Sequence, residues 1–204
     1  HDGEATTIEA FLACFAEASG RDLAQFALWY EQAGTPALSV ESRYDQAAGT
    51  LTLDISQRTP ATPGETRKQA MHIPLRVGLV GPDGSDMPPA DVSGMEHGDD
   101  VLHLRDGRHQ VVFSGLAEQP VPSLLRGFSA PVTLSSNLAD ADYLFLAAND
   151  SDPFNRWDAL QRVVMNTLIA ASASVARGQM PRLPNGLADA LGASASDASL
   201  EPAF

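Results

Sequence analysis

The chain has 204 residues, 44% of them hydrophobic, enough for a packed core in one or two domains. Its 13 Lys and Arg against 26 Asp and Glu leave a net charge of −13, which argues against a nucleic-acid surface and against docking on anionic lipid. No apolar run approaches the roughly 20 residues of a membrane span, His1-Asp2-Gly3-Glu4 lacks the basic and apolar regions of a leader, and the lone Cys14 permits no internal disulfide, so a cytoplasmic location is expected.

Residues 1–35 read as a helical pair. Thr6 and Glu9 have the spacing of a capping box, and Ile8, Phe11, Leu12 and Phe15 then form one stripe at helical period. Gly20 is the expected stop. Asp22 caps a second helix in which Leu23, Phe26, Ala27 and Tyr30 share a face, with Trp29 at its edge. Gly34-Thr35-Pro36 ends it, because Gly takes the left-handed cap and Pro cannot continue a helix.

Residues 36–135 change to period 2. Ala37 to Tyr44 is the first strand; Leu51, Leu53 and Ile55 alternate with polar residues, as do Ile73, Leu75, Val77 and Leu79 with their neighbours. Val101 to Arg105 and Arg108 to Phe113 flank Asp106-Gly107, the dipeptide of a two-residue hairpin. Gln119 to Phe128 and Pro131 to Leu134 complete about seven strands, the number expected of an immunoglobulin-like sandwich. The expected inward set is Leu51, Leu53, Ile55, Ile73, Leu75, Val77, Leu102, Leu104, Val111 and Phe113. Pro74, Pro120 and Pro122 belong on edges or bulges, and 59–69 and 81–98 read as loops.

Residues 136–204 turn helical again. Leu138 to Ala148 is a short helix. Asp152 caps the next, with Pro153 at its first position and Phe154, Trp157, Leu160, Val164 and Leu168 as the apolar face, closed by Gly178. Gly186 to Leu191 is a short fragment, and Ala193 to Ser199 is small and polar. The fold class is therefore mixed α and β: an antiparallel sandwich flanked by an N-terminal helical pair and C-terminal helices that could begin an α-solenoid.

No catalytic signature appears. H-E-x-x-H, G-x-S-x-G and G-x-x-x-x-G-K-[ST] are all missing. His97, His103 and His109 are evenly spaced, but in the expected hairpin Leu104 faces His109 and His103 faces Gln110, so the two imidazoles point to opposite sides of the sheet. Asp83, Asp86, Asp91, Glu96, Asp99 and Asp100 read as a solvated acidic loop, since their order does not match a calcium loop. Asp140, Asp142, Asp150 and Asp152 read as helix caps, and Cys14 as a buried thiol beside Phe11 and Phe15. No catalytic, cofactor-binding or metal residue is assigned.

Several segments nevertheless carry a family pattern. Leu23-Ala-Gln-Phe-Ala-Leu-Trp-Tyr-Glu-Gln-Ala-Gly-Thr-Pro36 resembles the helix-to-sandwich junction F-x-x-W-Y-x-Q-x-G-T-P of the bacterial aminopeptidase N type of zinc metallopeptidases. Leu51-Thr-Leu-Asp-Ile-Ser-Gln-Arg-Thr-Pro60 is similar to its T-I-S-Q-R-T-P strand, and Lys68-Gln-Ala-Met-His-Ile-Pro74 to its K-Q-x-x-H-I-P. Gln119-Pro-Val-Pro-Ser-Leu-Leu-Arg-Gly-Phe-Ser-Ala-Pro-Val132 is similar to Q-P-V-P-x-L-L-x-x-F-S-A-P-V. Asn149-Asp150 with Phe154-Asn-Arg-Trp-Asp-Ala159 is similar to N-D-x-F-x-R-W-D-A, with Ser151 to Pro153 extra, and His1-Asp2-Gly3 resembles R-H-D-G; only Ala193 onward is too plain to match.

The resemblance implies removal of N-terminal residues from peptides with one zinc ion held by H-E-x-x-H and a downstream Glu, while G-A-M-E-N holds the substrate amine. Those motifs lie upstream in the family and have no counterpart here, so no zinc residue carries over. The expected role is a non-catalytic internal fragment: 1–35 ends the catalytic domain, 36–135 is the sandwich, and 136–204 starts the C-terminal helical domain. Its partners would be the rest of the aminopeptidase chain, with self-association through the helical ends in isolation. The alternative is a free-standing sandwich module that binds a protein partner.

Overall fold

A computed structural model of the chain describes residue 3 and residues 5–196. His1-Asp2 and the end of the small polar tail lie outside the described residues.

The first helix, α1 (Ile8–Ser19), is capped by Thr7 rather than Thr6: the Thr7 hydroxyl accepts from the Ala10 N–H at 3.2 Å. Gly20, at φ 66°, ends it in the left-handed region, where a Cβ would be strained. Asp22 starts α2 (Ala24–Glu31), its carboxylate accepting from the Ala24 N–H at 2.8 Å. The expected face of α2 is rotated. Leu28 is the buried residue and Tyr30 is exposed. Hydrogen bonding overrides hydrophobic period here. The segment 69–72 lacks a ladder partner, and α2 supplies side-chain donors to its carbonyls. Gln25 donates to the Ala70 and Arg105 carbonyls at 3.0 and 2.5 Å, Trp29 to His72 at 2.9 Å, and Gln32 to Gln69 at 3.2 Å. Buried backbone groups need partners, so these contacts set the helix's rotation.

Among the described residues nine strands follow, two more than expected. One sheet has the order β4-β7-β2-β1-β9, the other β5-β6-β3-β8. They comprise β1 (Ala37–Asp45), β2 (Thr50–Arg58), β3 (Ile73–Val80), β4 (Asp91–Ser93), β5 (His97–Gly98), β6 (Val101–Leu104), β7 (Arg108–Ser114), β8 (Val121–Leu124) and β9 (Thr133–Ser136). The short β4 and β5 lie in the stretch 81–98 read as loop; at three and two residues they are too short to show a period. β9 pairs parallel with β1, so the sheet is not purely antiparallel.

The expected hairpin does not form. β6 pairs with β3 in the register Ile73↔Leu104 and Leu75↔Leu102, while β7 pairs with β2 in the register Leu53↔Val111. The two strands therefore lie in opposite sheets, and residues 105–107 carry the chain across the sandwich. Each strand already has a neighbour on both sides, β3 and β5 for one and β2 and β4 for the other, leaving no edge for them to share. The His109 ring holds the corner: its Nε2 accepts from the backbone N–H groups of Arg105 and Asp106 at 3.0 and 2.9 Å.

All ten expected inward residues are buried, because period 2 sends alternate side chains inward whichever sheet a strand joins. β3 changes partner halfway, pairing with β6 over Ile73–Arg76 and with β8 over Val77–Val80. Pro74 thus has a ladder neighbour on one side only, and Pro122 sits on the edge strand β8, where its missing N–H costs little.

Three helices pack beyond the sandwich: α3 (Asp140–Asn149), α4 (Pro153–Ala176) and α5 (Leu187–Ser196), the last longer than the fragment expected. Asp152 caps α4, accepting from the Asn155 N–H at 2.9 Å with Pro153 next. Its buried stripe is Asn155, Ala159, Leu160, Val163 and Thr167; of the expected face Leu160 is buried, Phe154 and Val164 are half-buried, and Trp157 and Leu168 are exposed. Small residues let α4 approach α3 closely, and bulk alone misjudges which face does so. By length and composition alone α4 could cross a bilayer. Its packed stripe, and the Arg162–Asp158 ion pair at 2.7 Å, instead mark a helix lying against protein.

Leu53→Ala should cost about 2–5 kcal/mol, because Leu53 is fully buried between the sheets. Arg43→Ala on exposed β1 surface should stay within about 0.5 kcal/mol. Urea midpoints at unchanged slope check both.

Candidate functional site

The segment 119–128 and the helix starts at 149–155 meet at the junction of sandwich and helices. β8 delivers Ser123 to this point, and the one-turn 3-10 helix Arg126–Phe128 delivers Arg126. The end of α3 delivers Asp150 and the start of α4 delivers Asn155. All four are buried: Ser123 is 0% exposed, Asp150 3%, and Arg126 and Asn155 each 8%.

Their hydrogen bonds form a closed set. Ser123 Oγ donates to Asp150 Oδ2 at 2.5 Å, and accepts from Arg126 Nε at 3.0 Å and Asn155 Nδ2 at 2.8 Å. Asn155 also donates to the Leu124 carbonyl at 2.9 Å. Arg126 Nη2 lies 2.9 Å from Asp150 Oδ1 and 2.6 Å from Asp86 Oδ1, while Nη1 donates to Asp86 Oδ2 at 3.1 Å. Ser151 closes the rim, donating to Asp86 at 2.7 Å. The guanidinium fits because residue 78 is glycine: a Cβ there would overlap the Arg126 Cζ, Nη1 and Nε atoms.

The charges follow from this geometry. Burial pushes the Asp150 carboxyl above its ordinary pKa, against the opposing Ser123 hydroxyl, Asp152 N–H and Arg126 charge. Burial also works against the Arg126 cation, but its hydrogen bonds to Asp86 and the charges of Asp150, Asp86 and Asp152 outweigh it and hold it ionised. The Arg126 guanidinium keeps Asp86, at the water-facing rim, below the usual carboxylate range.

This arrangement fastens rather than reacts. A serine hydroxyl has one proton and two lone pairs, and all three are engaged, so Ser123 has no lone pair for attack. No histidine stands against it as a base in these bonds. Asp150, expected as a cap, is the buried anion of the junction. The acidic residues of 81–100 are likewise not simply solvated: Asp86 holds Arg126, Glu96 pairs with Arg105 at 3.1 Å, and Asp100 with Arg76 at 3.2 Å.

The histidines are distributed differently from expectation. His97 lies on β5 and contacts the Val92 carbonyl at 3.1 Å, and His109 closes the β6–β7 corner. His103 instead meets His72, Nδ1 to Nε2 at 3.0 Å, one ring donating and the other accepting. Sequence reading missed this pair because His72 precedes β3 and the partners are 31 positions apart. Among the described residues, no group of three or more His, Cys, Asp or Glu side chains could hold a metal ion. The described residues therefore do not fit a catalytic zinc centre. Cys14, expected buried, is exposed on α1. Only Leu12 of that helix's stripe is covered, because α1 has little besides α2 to pack on.

Residues 34–137 match a family described as a domain of unknown function, DUF3458, with an Ig-like fold. Residues 140–204 match its companion, DUF3458_C, described as ARM repeats. Aminopeptidase N of Caulobacter vibrioides is 44% identical over 206 residues, covering 100% of this chain and 22% of that protein. Aminopeptidase N of Escherichia coli K12 is 37% identical over 204 residues, covering 100% of this chain and 23% of that protein. The crystal structure of Legionella pneumophila aminopeptidase A in complex with aspartic acid superimposes with a TM-score of 0.74 at 26% identity, covering 98% of this chain and 21% of that one. The likeness to aminopeptidase N thus extends through the plain tail after Ala193, and the chain spans about a fifth of the length of these relatives.

Arg126→Met should destabilise the chain by about 3–5 kcal/mol, because it strands the buried Asp150 charge. Adding Asp150→Leu should recover much of the loss, since an apolar pair has no charge to strand; denaturant midpoints of the single and double variants test this. The His72 pKa is held below the ordinary imidazole value by burial first, then by Arg105 and His103. The folded state therefore takes this proton less readily than the unfolded state. Stability should be complete above about pH 6.5 and decline as pH falls below it. Thermal melts from pH 8 to pH 5 should show this decline flattened in His72→Gln.

Proposed function

The chain belongs to the Ig-like DUF3458 family, and on that footing we propose that it is the non-catalytic spacer of a longer aminopeptidase. The buried junction of Ser123, Arg126, Asp150 and Asn155 carries this reading: it locks sandwich to helices in one geometry and offers no free nucleophile. A spacer must transmit position between the domains on either side, and a closed hydrogen-bond network restricts that joint to one arrangement.

Both helical ends present apolar faces suited to such neighbours. On α1, Ile8, Phe11 and Phe15 are exposed; on α4, Met165, Leu168, Ile169 and Val175 are exposed. In the proposed protein, residues 1–35 close the catalytic domain and the helices after Pro153 begin the C-terminal array. In isolation, these faces would drive self-association between copies, limited by the charge of −13. The activity of the whole would be cleavage of N-terminal residues from peptides in the cytoplasm, with zinc held outside this chain. The aminopeptidase relatives and the family pattern at 23–36, 51–60, 68–74 and 119–159 support this assignment.

The test is the complete reading frame. It should carry H-E-x-x-H ahead of residue 1. Its product should release the N-terminal residue of an aminoacyl anilide, lose that activity on chelation, and regain it with added zinc. The 204-residue chain should release none. A reading frame without that motif, or activity in this chain surviving purification controls, overturns the proposal.

A further inference from the structure

Two arginines and two histidines meet in a cleft of about 620 Å³, where the helical pair packs on the sandwich. Arg21, Leu23 and Phe26 line it from the helical side. His72 and Pro74 enter from the start of β3, and His103 and Arg105 from β6 and its corner. Asp22 and Glu96 also border it, and both are engaged. Asp22 Oδ1 accepts from the Ala24 N–H at 2.8 Å, and Glu96 Oε2 accepts from Arg105 Nε at 3.1 Å. Arg21 differs. Its backbone N–H bonds Ser19 Oγ, but among the described residues its exposed guanidinium has no hydrogen-bond or ion-pair partner.

The histidine pair offers donors beside that free cation. His72 Nε2 and His103 Nδ1 are 3.0 Å apart, which leaves His72 Nδ1 and His103 Nε2 as the outer nitrogens. Among the described residues neither outer nitrogen has a partner, and neither is sealed from solvent. With both rings neutral, one of the two N–H groups is used in the contact, so one outer nitrogen donates and the other accepts. One added proton makes both outer nitrogens donors and keeps the central bond. Burial, then the charges of Arg105, His103 and Arg21, oppose that proton on His72, while Glu96 favours it. Asp22 adds a second negative charge at the rim. An anion seated against the rings therefore takes up a proton as it binds.

We propose that this cleft binds the carboxylate of a small apolar acid, with the Arg21 guanidinium as counter-charge and the outer imidazole N–H groups as donors. The body of the acid lies against Leu23, Phe26 and Pro74. A carboxylate fits better than phosphate, because Asp22 and Glu96 would repel a second negative charge. It fits better than a metal ion, which would find two imidazoles with the charges of Arg21 and Arg105 beside them. The inference does not depend on the spacer reading.

The test titrates benzoate into the 204-residue chain while the imidazole C–H resonances of His72 and His103 are followed by NMR. Both rings should shift and saturate. Affinity should be about tenfold weaker at pH 8 than at pH 6, because benzoate stays ionised over that range while the pair loses its proton. Benzamide, equal in shape but uncharged, and inorganic phosphate should each bind about tenfold more weakly than benzoate. Arg21→Met should weaken benzoate about tenfold without moving the thermal midpoint of the chain alone, and Arg21→Lys should keep most of the binding. The inference is overturned if neither ring shifts, or if affinity is unchanged by pH or by Arg21→Met. Benzamide or phosphate binding as tightly as benzoate overturns it as well.

Discussion

The Arg126–Asp150 pair is the constraint on which the arrangement of the chain depends. A buried ion pair adds little net stability, because desolvating two charges offsets most of their attraction. Its effect is on geometry. Any other docking of helices on sandwich would leave Arg126 or Asp150 without its partner, so alternatives are penalised more than the native state is favoured. The bonds from Ser123 and Asn155 narrow the choice further, since each spans the boundary between β8 and the helices. Gly78 belongs to the same device, as the missing side chain that lets the guanidinium lie against β3.

Two consequences reach outward from that point. The turn that brings Arg126 inward turns Phe128 outward, where its ring centroid lies 5.5 Å from that of Phe154 on α4. The second core, around Val80, Leu146, Ala159, Leu160 and Val163, sits beside the junction and shares β3 with the first. Sandwich and helices are thus continuous through a strand that ends in one core and begins in the other. A joint built this way resists bending where domains usually hinge.

The candidate site was legible only in pieces. The segments that meet at the junction both carry the family pattern, at 119–132 and 149–159, yet nothing in their spacing shows that they touch. Asp150 looked like a cap because Asp beside a helix end usually is one. Its pairing with Arg126 spans the turn from β8 through β9 to α3, and such pairings have no local signature. The His72–His103 contact was hidden for the same reason. The hairpin expectation failed differently: Asp106-Gly107 is a true tight-turn signal, but the flanking strands had stronger partners in separate sheets.

What the sequence determined by itself is whatever depends on neighbours along the chain. The helix cap at Asp152, the Asp22 carboxylate bonded one residue ahead of the Leu23 cap of α2, the stop at Gly20, and the inward alternation of Leu51 to Ile55 and Ile73 to Val77 all follow from local geometry. Period 2 also identified all ten expected core residues without knowing which sheet each strand would join. The tertiary structure decided which sheet took β6 and β7, which faces of α2 and α4 turned inward, and which charges met. Those outcomes depend on competition between partners distant in sequence. At α2 the unpaired carbonyls of 69–72 outranked hydrophobic period, and at α4 close approach through Ala159 and Val163 outranked bulk. Hydrogen-bond satisfaction and packing are settled only when both surfaces are present, so no single segment could have announced them.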